Sequence, residues 1–196
     1  MNVIKLPLND SRDIVSEIVR HLERGDVLVL PTDTVYGLVC DAANEEAVRK
    51  IFEIKKRDIA KPLSVFVKDV EMAEKYAFIG QNQREFIGRN WPGVTTVILK
   101  SKPGLFELVY KDGTIGLRQP NYALLSKIME VFPRPLAQTS ANISGEGALT
   151  EISKILEQFN NLETQPDLII DAGDLAKNNP SKVIDFTNSN IKIIRE

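Results

Sequence analysis

Three polar segments of this sequence carry residue types that could hold a small anion or a phosphorylated ligand. Pro31-Thr32-Asp33-Thr34 directly follows residues 26–30, a compact apolar stretch. In open α/β sheets, ligands sit beyond the carboxyl ends of strands. Two hydroxyls at such a place suit a small polar substrate, although Thr and Asp also make turns in which they satisfy their own backbone. Lys55-Lys56-Arg57-Asp58-Ile59-Ala60-Lys61 places four cations within seven residues. Cations at a helix C-terminus complement the helix dipole, and charge runs are commonly solvated faces. Lys55 and Arg57 are two residues apart, so on a helix they point to quite different sides. They can face one anion only if the helix has ended and a loop begins at Lys55. Thr139-Ser140-Ala141-Asn142-Ile143-Ser144-Gly145 offers small hydroxyl donors and a glycine that lets a ligand come close, or else a simple capping turn.

What is missing narrows the chemistry. There is no G-x-x-x-x-G-K-[ST] and no G-x-G-x-x-G, so neither a P-loop nor a Rossmann dinucleotide site is supported. The single histidine, His21, falls off the Ile18/Val19/Leu22 stripe of its helix and is placed on the solvent face. One histidine allows no Ser-His-Asp triad, and with one cysteine, Cys40, no Cys/His zinc set. Cys40 follows an apolar run and reads as a small buried residue. No protein metal site is expected. A phosphate compound would have to be held by Lys, Arg, hydroxyls and loop amides.

The elements that position these segments follow from periodicity and punctuation. Residues 3–6 read as a first strand. Residues 9–24 read as a helix with Asp10 or Ser11 as cap, Ile14, Val15, Ile18, Val19 and Leu22 on its buried face, and Gly25 as its stop. Strands are expected at 26–30, 63–67, 94–100, Thr114–Arg118, 135–138, 167–171, 182–186 and 191–195, with residues 31–38 read as a loop. Asn44 caps a second helix that runs into Lys55. Further helices are expected at 70–77, 82–90, 122–132 and from a Thr150 cap to Phe159. Interleaved strands and helices predict an α/β fold. The short connection 187–190 between the last two strands predicts a hairpin, hence a mixed sheet.

The chain has 196 residues, 43% hydrophobic and 27% charged, with a net charge of −2. That suits one globular domain spanning 1–196, large enough to bury its own core. No run of about 18 apolar residues exists, so no membrane span is expected, and the first eight residues do not look like a secretory signal. A cytoplasmic protein is expected. The acidic pI of about 5.6 argues against a protein built to grip a long nucleic acid.

Together the motifs resemble the YrdC-type threonylcarbamoyl-AMP synthases. The resemblance rests on Pro31-Thr32-Asp33-Thr34-Val35-Tyr36-Gly37-Leu38, Lys55-x-Arg57, Lys61-Pro62-Leu63, Trp91-Pro92-Gly93, Thr114-Ile115-Gly116-Leu117-Arg118 and Thr139-Ser140-Ala141-Asn142. Their order and spacing match over essentially the whole chain, as in the short form without an extra C-terminal domain. The resemblance implies a single-domain twisted mixed sheet flanked by helices around a basic concave cavity. It implies a catalytic tetrad of Lys55, Arg57, Ser140 and Asn142. It implies ATP contacts from Arg57, Lys61, Thr114, Ser140 and Arg195, and L-threonine contacts from Thr32, Thr34, Arg118 and Ser181. A related branch of the family lacks the S-x-N pair, which this chain keeps.

Some positions depart from the family pattern. Asp58 stands where proline is common, which would alter the loop after Arg57. Ala148 stands where a hydroxyl often reaches ATP, so that contact is lost or moves to Thr150. Lys182 replaces a usual threonine, and Arg195 is followed only by Glu196, which leaves it little chain to hold it.

The implied reaction joins ATP, L-threonine and bicarbonate into threonylcarbamoyl-AMP, for N6-threonylcarbamoyladenosine formation in tRNA. It needs positioning and charge neutralisation rather than a covalent enzyme intermediate. Mg2+ would be held mainly by the ATP phosphates and water. The product would pass to a tRNA threonylcarbamoyl transferase, with weak or no direct tRNA binding. Two rivals share the fold: a non-enzymatic RNA-binding module, disfavoured by the acidic pI, and an enzyme of carbamoyl phosphate, disfavoured by the short chain.

Overall fold

The computed structural model describes residues 1–6, 12–188 and 190–196. Its strands are β1 (Asn2–Lys5), β2 (Leu28–Leu30), β3 (Gly37–Asp41), β4 (Ser64–Phe66), β5 (Thr95–Lys100), β6 (Tyr110–Lys111), β7 (Thr114–Arg118), β8 (Leu136–Ser140), β9 (Leu168–Asp171), β10 (Lys182–Asp185) and β11 (Lys192–Arg195). The helices are α1 (Arg12–Arg24), α2 (Glu45–Lys55), α3 (Val70–Tyr76), α4 (Gln81–Asn90), α5 (Ala123–Val131) and α6 (Ile152–Asn160). All the strands join one sheet in the order β1-β9-β2-β3-β8-β4-β7-β5-β10-β11, with β6 paired to β7. β9 runs parallel to β1 and β2, β4 to β7, and β5 to β10. The other pairs are antiparallel, including the expected β10–β11 hairpin.

Helices cover both faces because the strands are apolar on both. α1 and α5 pack Ile18, Leu22, Leu125 and Ile128 against Leu28, Leu30, Val39 and Phe66 on one face. α2, α3, α4 and α6 pack Val48, Ile51, Met72, Ile87 and Phe159 against Val29, Leu38, Val65 and Val97 on the other. Each fully buried Leu, Ile or Phe contributes roughly 1.5–3 kcal/mol of transfer free energy. The sheet interior is therefore the stiff part of the molecule.

Several expectations need correction. His21 is buried, not on the surface. Its Nδ1 lies 2.7 Å from Asp26 Oδ2 and its Nε2 3.3 Å from Glu17 Oε1, so two carboxylates satisfy the ring where α1 turns into β2. The segment after Pro31 is not loop throughout. Gly37–Asp41 is a strand buried on both faces, without the alternation that marks a half-exposed one. The strand expected at 135–138 continues to Ser140, because Thr139 and Ser140 pair with Leu38 and Gly37 of β3. Thr150 does not cap α6. The cap position is Glu151, without a side-chain bond, and Asp174 Oδ1 instead accepts the Ile152 amide at 3.0 Å. The expected caps Asp10 and Ser11 lie outside the described residues. Asn44 does cap α2, accepting the Ala47 amide at 3.0 Å, and Gly25 stops α1 at φ 83°.

Candidate active site

α2 ends where the chemistry needs it to end. Lys55 is its last residue, and Lys56 turns left-handed at φ 49°, its amide and that of Arg57 closing onto Glu53 and Phe52 carbonyls. This is a C-terminal cap of the kind usually made by glycine. Lys55 therefore projects from the last turn and Arg57 from the loop, and both reach one cavity.

The Lys55 ammonium is buried beneath β8. It donates to Ser140 O at 2.7 Å, to Asn142 O at 2.8 Å and to Asn142 Oδ1 at 2.8 Å. Ser140 Oγ donates to the same Oδ1 at 2.5 Å, and Asn142 Nδ2 donates to Ile143 and Glu146 carbonyls. The Ser144 amide returns to Lys55 O at 2.8 Å. With all three Nζ hydrogens engaged, Lys55 braces the loop after β8 against the end of α2. Burial, and secondarily Arg57, pushes its pKa from 10.5 down to about 7.

Arg57 curls over the following loop, donating from Nε to Lys61 O at 2.7 Å and from Nη2 to Pro62 O at 3.0 Å. Burial and then Arg195 lower its pKa, while Asp58 opposes them. Asp58, the departure from proline, makes its own turn: Oδ1 accepts the Ala60 amide at 2.9 Å and its carbonyl accepts the Lys61 amide at 3.0 Å. The loop is thus closed by a side-chain bond where proline would stiffen φ. Among the described residues, none of the ion pairs involves Arg57, Lys61 or Lys111.

The opposite end of the cavity is built on Arg118, only 2% exposed. Its Nη2 lies 2.5 Å from Asp33 Oδ1, its Nε donates to Gly93 O at 2.9 Å, and its Nη1 reaches Thr34 Oγ1 at 3.4 Å. Gly93 can sit there because it lacks a Cβ, which would meet Asn90 O at 2.6 Å. Thr32 Oγ1 donates its hydrogen to Val35 O at 2.7 Å. The 3.0 Å contact between the two hydroxyls is therefore donated by Thr34, which leaves Thr34 Oγ1 one lone pair beyond the one that faces Arg118 Nη1. Ser181 Oγ lies 2.9 Å from Thr96 Oγ1. Arg195 is not loose despite its place near the end: it grips Ser181 O from Nε at 3.0 Å and Nη2 at 2.7 Å.

The cavity holds about 460 Å³, within the usual range for small-molecule sites. Its lining brings together every residue expected at the site: Lys55, Arg57, Lys61, Thr114, Ser140, Asn142 and Arg195, with Thr32, Thr34, Arg118 and Ser181. Thr114 lies at the rim, its hydroxyl donating to Lys111 O at 2.6 Å. Ala148 and Thr150 instead border a smaller hollow of about 270 Å³, so Thr150 does not supply the hydroxyl absent at Ala148. Lys182 is not among the lining residues either. Sequence reasoning missed Ser64, Thr96, Lys111 and Gln138. Ser64 and Thr96 sit in predicted strands, where a polar residue in an apolar run was the available signal. Among the described residues no Asp or Glu lines the cavity, and there is no cluster of three or more His, Cys, Asp or Glu fit for a metal.

Comparison with known proteins agrees with this geometry. The Sua5/YciO/YrdC family model, described as "Telomere recombination", matches residues 20–196. A Methanocaldococcus jannaschii protein, provisionally named a threonylcarbamoyl-AMP synthase, is 34% identical over 196 residues, covering 100% of this chain and 91% of its own. The Klebsiella pneumoniae threonylcarbamoyl-AMP synthase is 28% identical over 183 residues, 89% of this chain and 94% of that protein. The crystal structure of Pyrococcus abyssi Sua5 complexed with L-threonine superposes with a TM-score of 0.91 at 29% identity. It is covered over 100% of this chain, which spans 57% of the longer Pyrococcus chain.

Proposed function

This chain belongs to the Sua5/YciO/YrdC family, and on that premise we propose that it is an L-threonylcarbamoyladenylate synthase, a nucleotidyltransferase. The observation that carries the reading is the cavity itself. Cations without counter-charges at one end face a buried, neutralised arginine among hydroxyls at the other. That pairing suits a triphosphate and an amino acid held head to head.

Bicarbonate and the threonine amine condense to a carbamate with loss of water. A carbamate oxygen then attacks the α-phosphorus of ATP, and the bond to the bridging oxygen breaks to release pyrophosphate. No enzyme nucleophile is required, in keeping with a cavity that lacks histidine and cysteine. Arg57, Lys61, Thr114, Ser140 and Arg195 hold the nucleotide and stabilise charge as the phosphorus is attacked. Lys55 and Asn142 complete the tetrad by keeping Ser140 in place. Thr34, Arg118 and Ser181 orient threonine, with Thr32 fixing the Thr34 hydroxyl. The described lining offers oxygen only from neutral groups, so Mg2+ would be held by the ATP phosphates and water, where it would neutralise phosphate charge.

The product serves N6-threonylcarbamoyladenosine modification of tRNA and passes to a tRNA threonylcarbamoyl transferase in the cytoplasm. No helix among the described residues is long and apolar enough to cross a membrane. RNA contact is weak, because one local cationic cavity neutralises few phosphates. Mass spectrometry of the products formed from ATP, L-threonine and bicarbonate tests the reading. Threonylcarbamoyl-AMP is expected, and its absence from a folded, nucleotide-binding protein would overturn it.

A further inference from the structure

Most polar groups around the cavity are engaged with the protein itself. Lys55, Thr32, Ser140, Asn142 and Ser181 all have internal partners. Several lining side chains do not, and two of these lie side by side on the sheet: neither the Gln138 amide nor the Ser64 hydroxyl has a hydrogen-bond partner among the described residues. They are not scattered. Ser64 of β4 and Gln138 of β8 are register partners on adjacent antiparallel strands, so their side chains rise on the same face. Gly116 of β7 lies beside Ser64, with the Ser64 hydroxyl 3.6 Å from where a Gly116 Cβ would stand. Lacking that Cβ, the floor is left open at this point.

Position says which part of a ligand reaches them. Gly116 is midway along β7 between Thr114 and Arg118, and Gln138 is two residues before Ser140. Two residues of strand are roughly 7 Å. The Gln138/Ser64 patch therefore sits about 7 Å along the floor from the nucleotide end and about as far from the threonine end. That gap is where a one-carbon group must lie if it links the threonine nitrogen to the α-phosphate. The lining around it contains cations and no carboxylate, which suits an anion.

We propose, resting on the synthase reading above, that Gln138 and Ser64 form the bicarbonate and carbamate subsite. The Gln138 amide N–H and the Ser64 O–H donate to the carbamate oxygen that does not attack phosphorus. This turns the attacking oxygen toward the nucleotide. They bind the one-carbon reactant and supply no proton to the step.

The test is steady-state kinetics with bicarbonate varied at saturating ATP and threonine. Gln138→Met, which keeps bulk without donors, should raise the KM for bicarbonate about tenfold, the scale of one lost hydrogen bond. Ser64→Ala should raise it by a smaller factor in the same direction, and the KM values for ATP and threonine should stay within about twofold. An unchanged bicarbonate KM in an active variant would overturn the assignment, as would a selective rise in the KM for ATP or threonine. If Gln138→Met does not fold, Ser64→Ala decides alone. Failure of the unmutated enzyme to need threonine and bicarbonate would defeat the synthase reading instead, so the two failures are separable.

Discussion

The two ends of the cavity treat positive charge in opposite ways. At the Arg118 end the guanidinium is buried, but Asp33 stands against it and the Gly93 carbonyl holds its other side. At the Arg57 end, Arg57, Lys61 and Lys111 have no ion-pair partner among the described residues, and Arg195, which disfavours the charge of both arginines, meets no Asp33 there. The first end is finished before any ligand arrives. The second is left in electrostatic debt that a polyanion would settle. A neutralised arginine orients one carboxylate with fixed geometry, whereas unpaired cations favour whatever brings several negative charges. On the proposed reading, the difference would let one cavity tell its two substrates apart by charge before reading their shape.

The largest effect expected concerns the finished end. Thr34 Oγ1 keeps one lone pair beyond the one that faces Arg118, and Ser181 also lines the cavity, so a threonine hydroxyl gains a partner that a valine methyl cannot use. Sites of that kind reject the analogue lacking the hydroxyl by about 10⁴ in kcat/KM, whereas serine, short of one methyl, should lose only roughly 10–200-fold. Competition assays with the three amino acids check this order. Valine reacting on equal terms with threonine would show that this end does not read the hydroxyl.

Arg57→Ala probes the open end. Turnover should fall by roughly 10²–10³-fold, the scale for one preorganised charge stabiliser. The fold should survive, since the loss is two hydrogen bonds to loop carbonyls and no ion pair. A folded variant with near-normal activity would show that Arg57 stabilises no charge in the reaction and only ties down the loop after α2.

Asp33→Ala should do the reverse, acting on stability. It strands a buried guanidinium, and removing one partner of a buried pair costs about 3–5 kcal/mol. Chemical denaturation measures it. A loss below about 1 kcal/mol, typical of an exposed pair, would remove the contrast between the two ends.

The smallest effect is a proton. Lys55 has its pKa lowered to about 7 by burial and by Arg57. Near pH 8 part of the population therefore loses its third Nζ hydrogen in the empty cavity, and with it one of the three bonds that brace the loop after β8. A bound triphosphate favours the ammonium and raises that pKa, so ATP binding at pH 8 should take up a fraction of a proton. Calorimetry in buffers of different ionisation enthalpy reads this uptake, and Lys55→Met should abolish it. Proton release, or uptake that persists in Lys55→Met, would contradict the assignment.

Much of this architecture was legible in residue pattern. The α2 face, the Asn44 cap and the β10–β11 hairpin follow from local periodicity and punctuation, and those local preferences agree with the final packing. The requirement that α2 stop at Lys55 was likewise readable, because Lys55 and Arg57 cannot share a side of one helix. What stayed hidden depends on pairing across the sheet. β3 is buried on both faces, so no alternation betrays it. Thr139 and Ser140 look like loop residues until β3 draws them into a ladder. His21 looks like a polar-face residue, but Asp26 and Glu17 supply the partners that make its burial tolerable. Asp33 was visible only as a turn residue, since its task depends on Arg118, 85 positions away. The Gln138/Ser64 pair is invisible for the same reason, as the two become neighbours only through β4–β8 pairing.

The most direct test of the account is pyrophosphate release from ATP with each other reactant withheld in turn. In the proposed reaction a one-carbon link joins the two substrates, so release should require threonine and bicarbonate together and stop when either is omitted. Equal release with threonine withheld would show that the Arg118 end plays no part in the chemistry, and the synthase reading would fall with it.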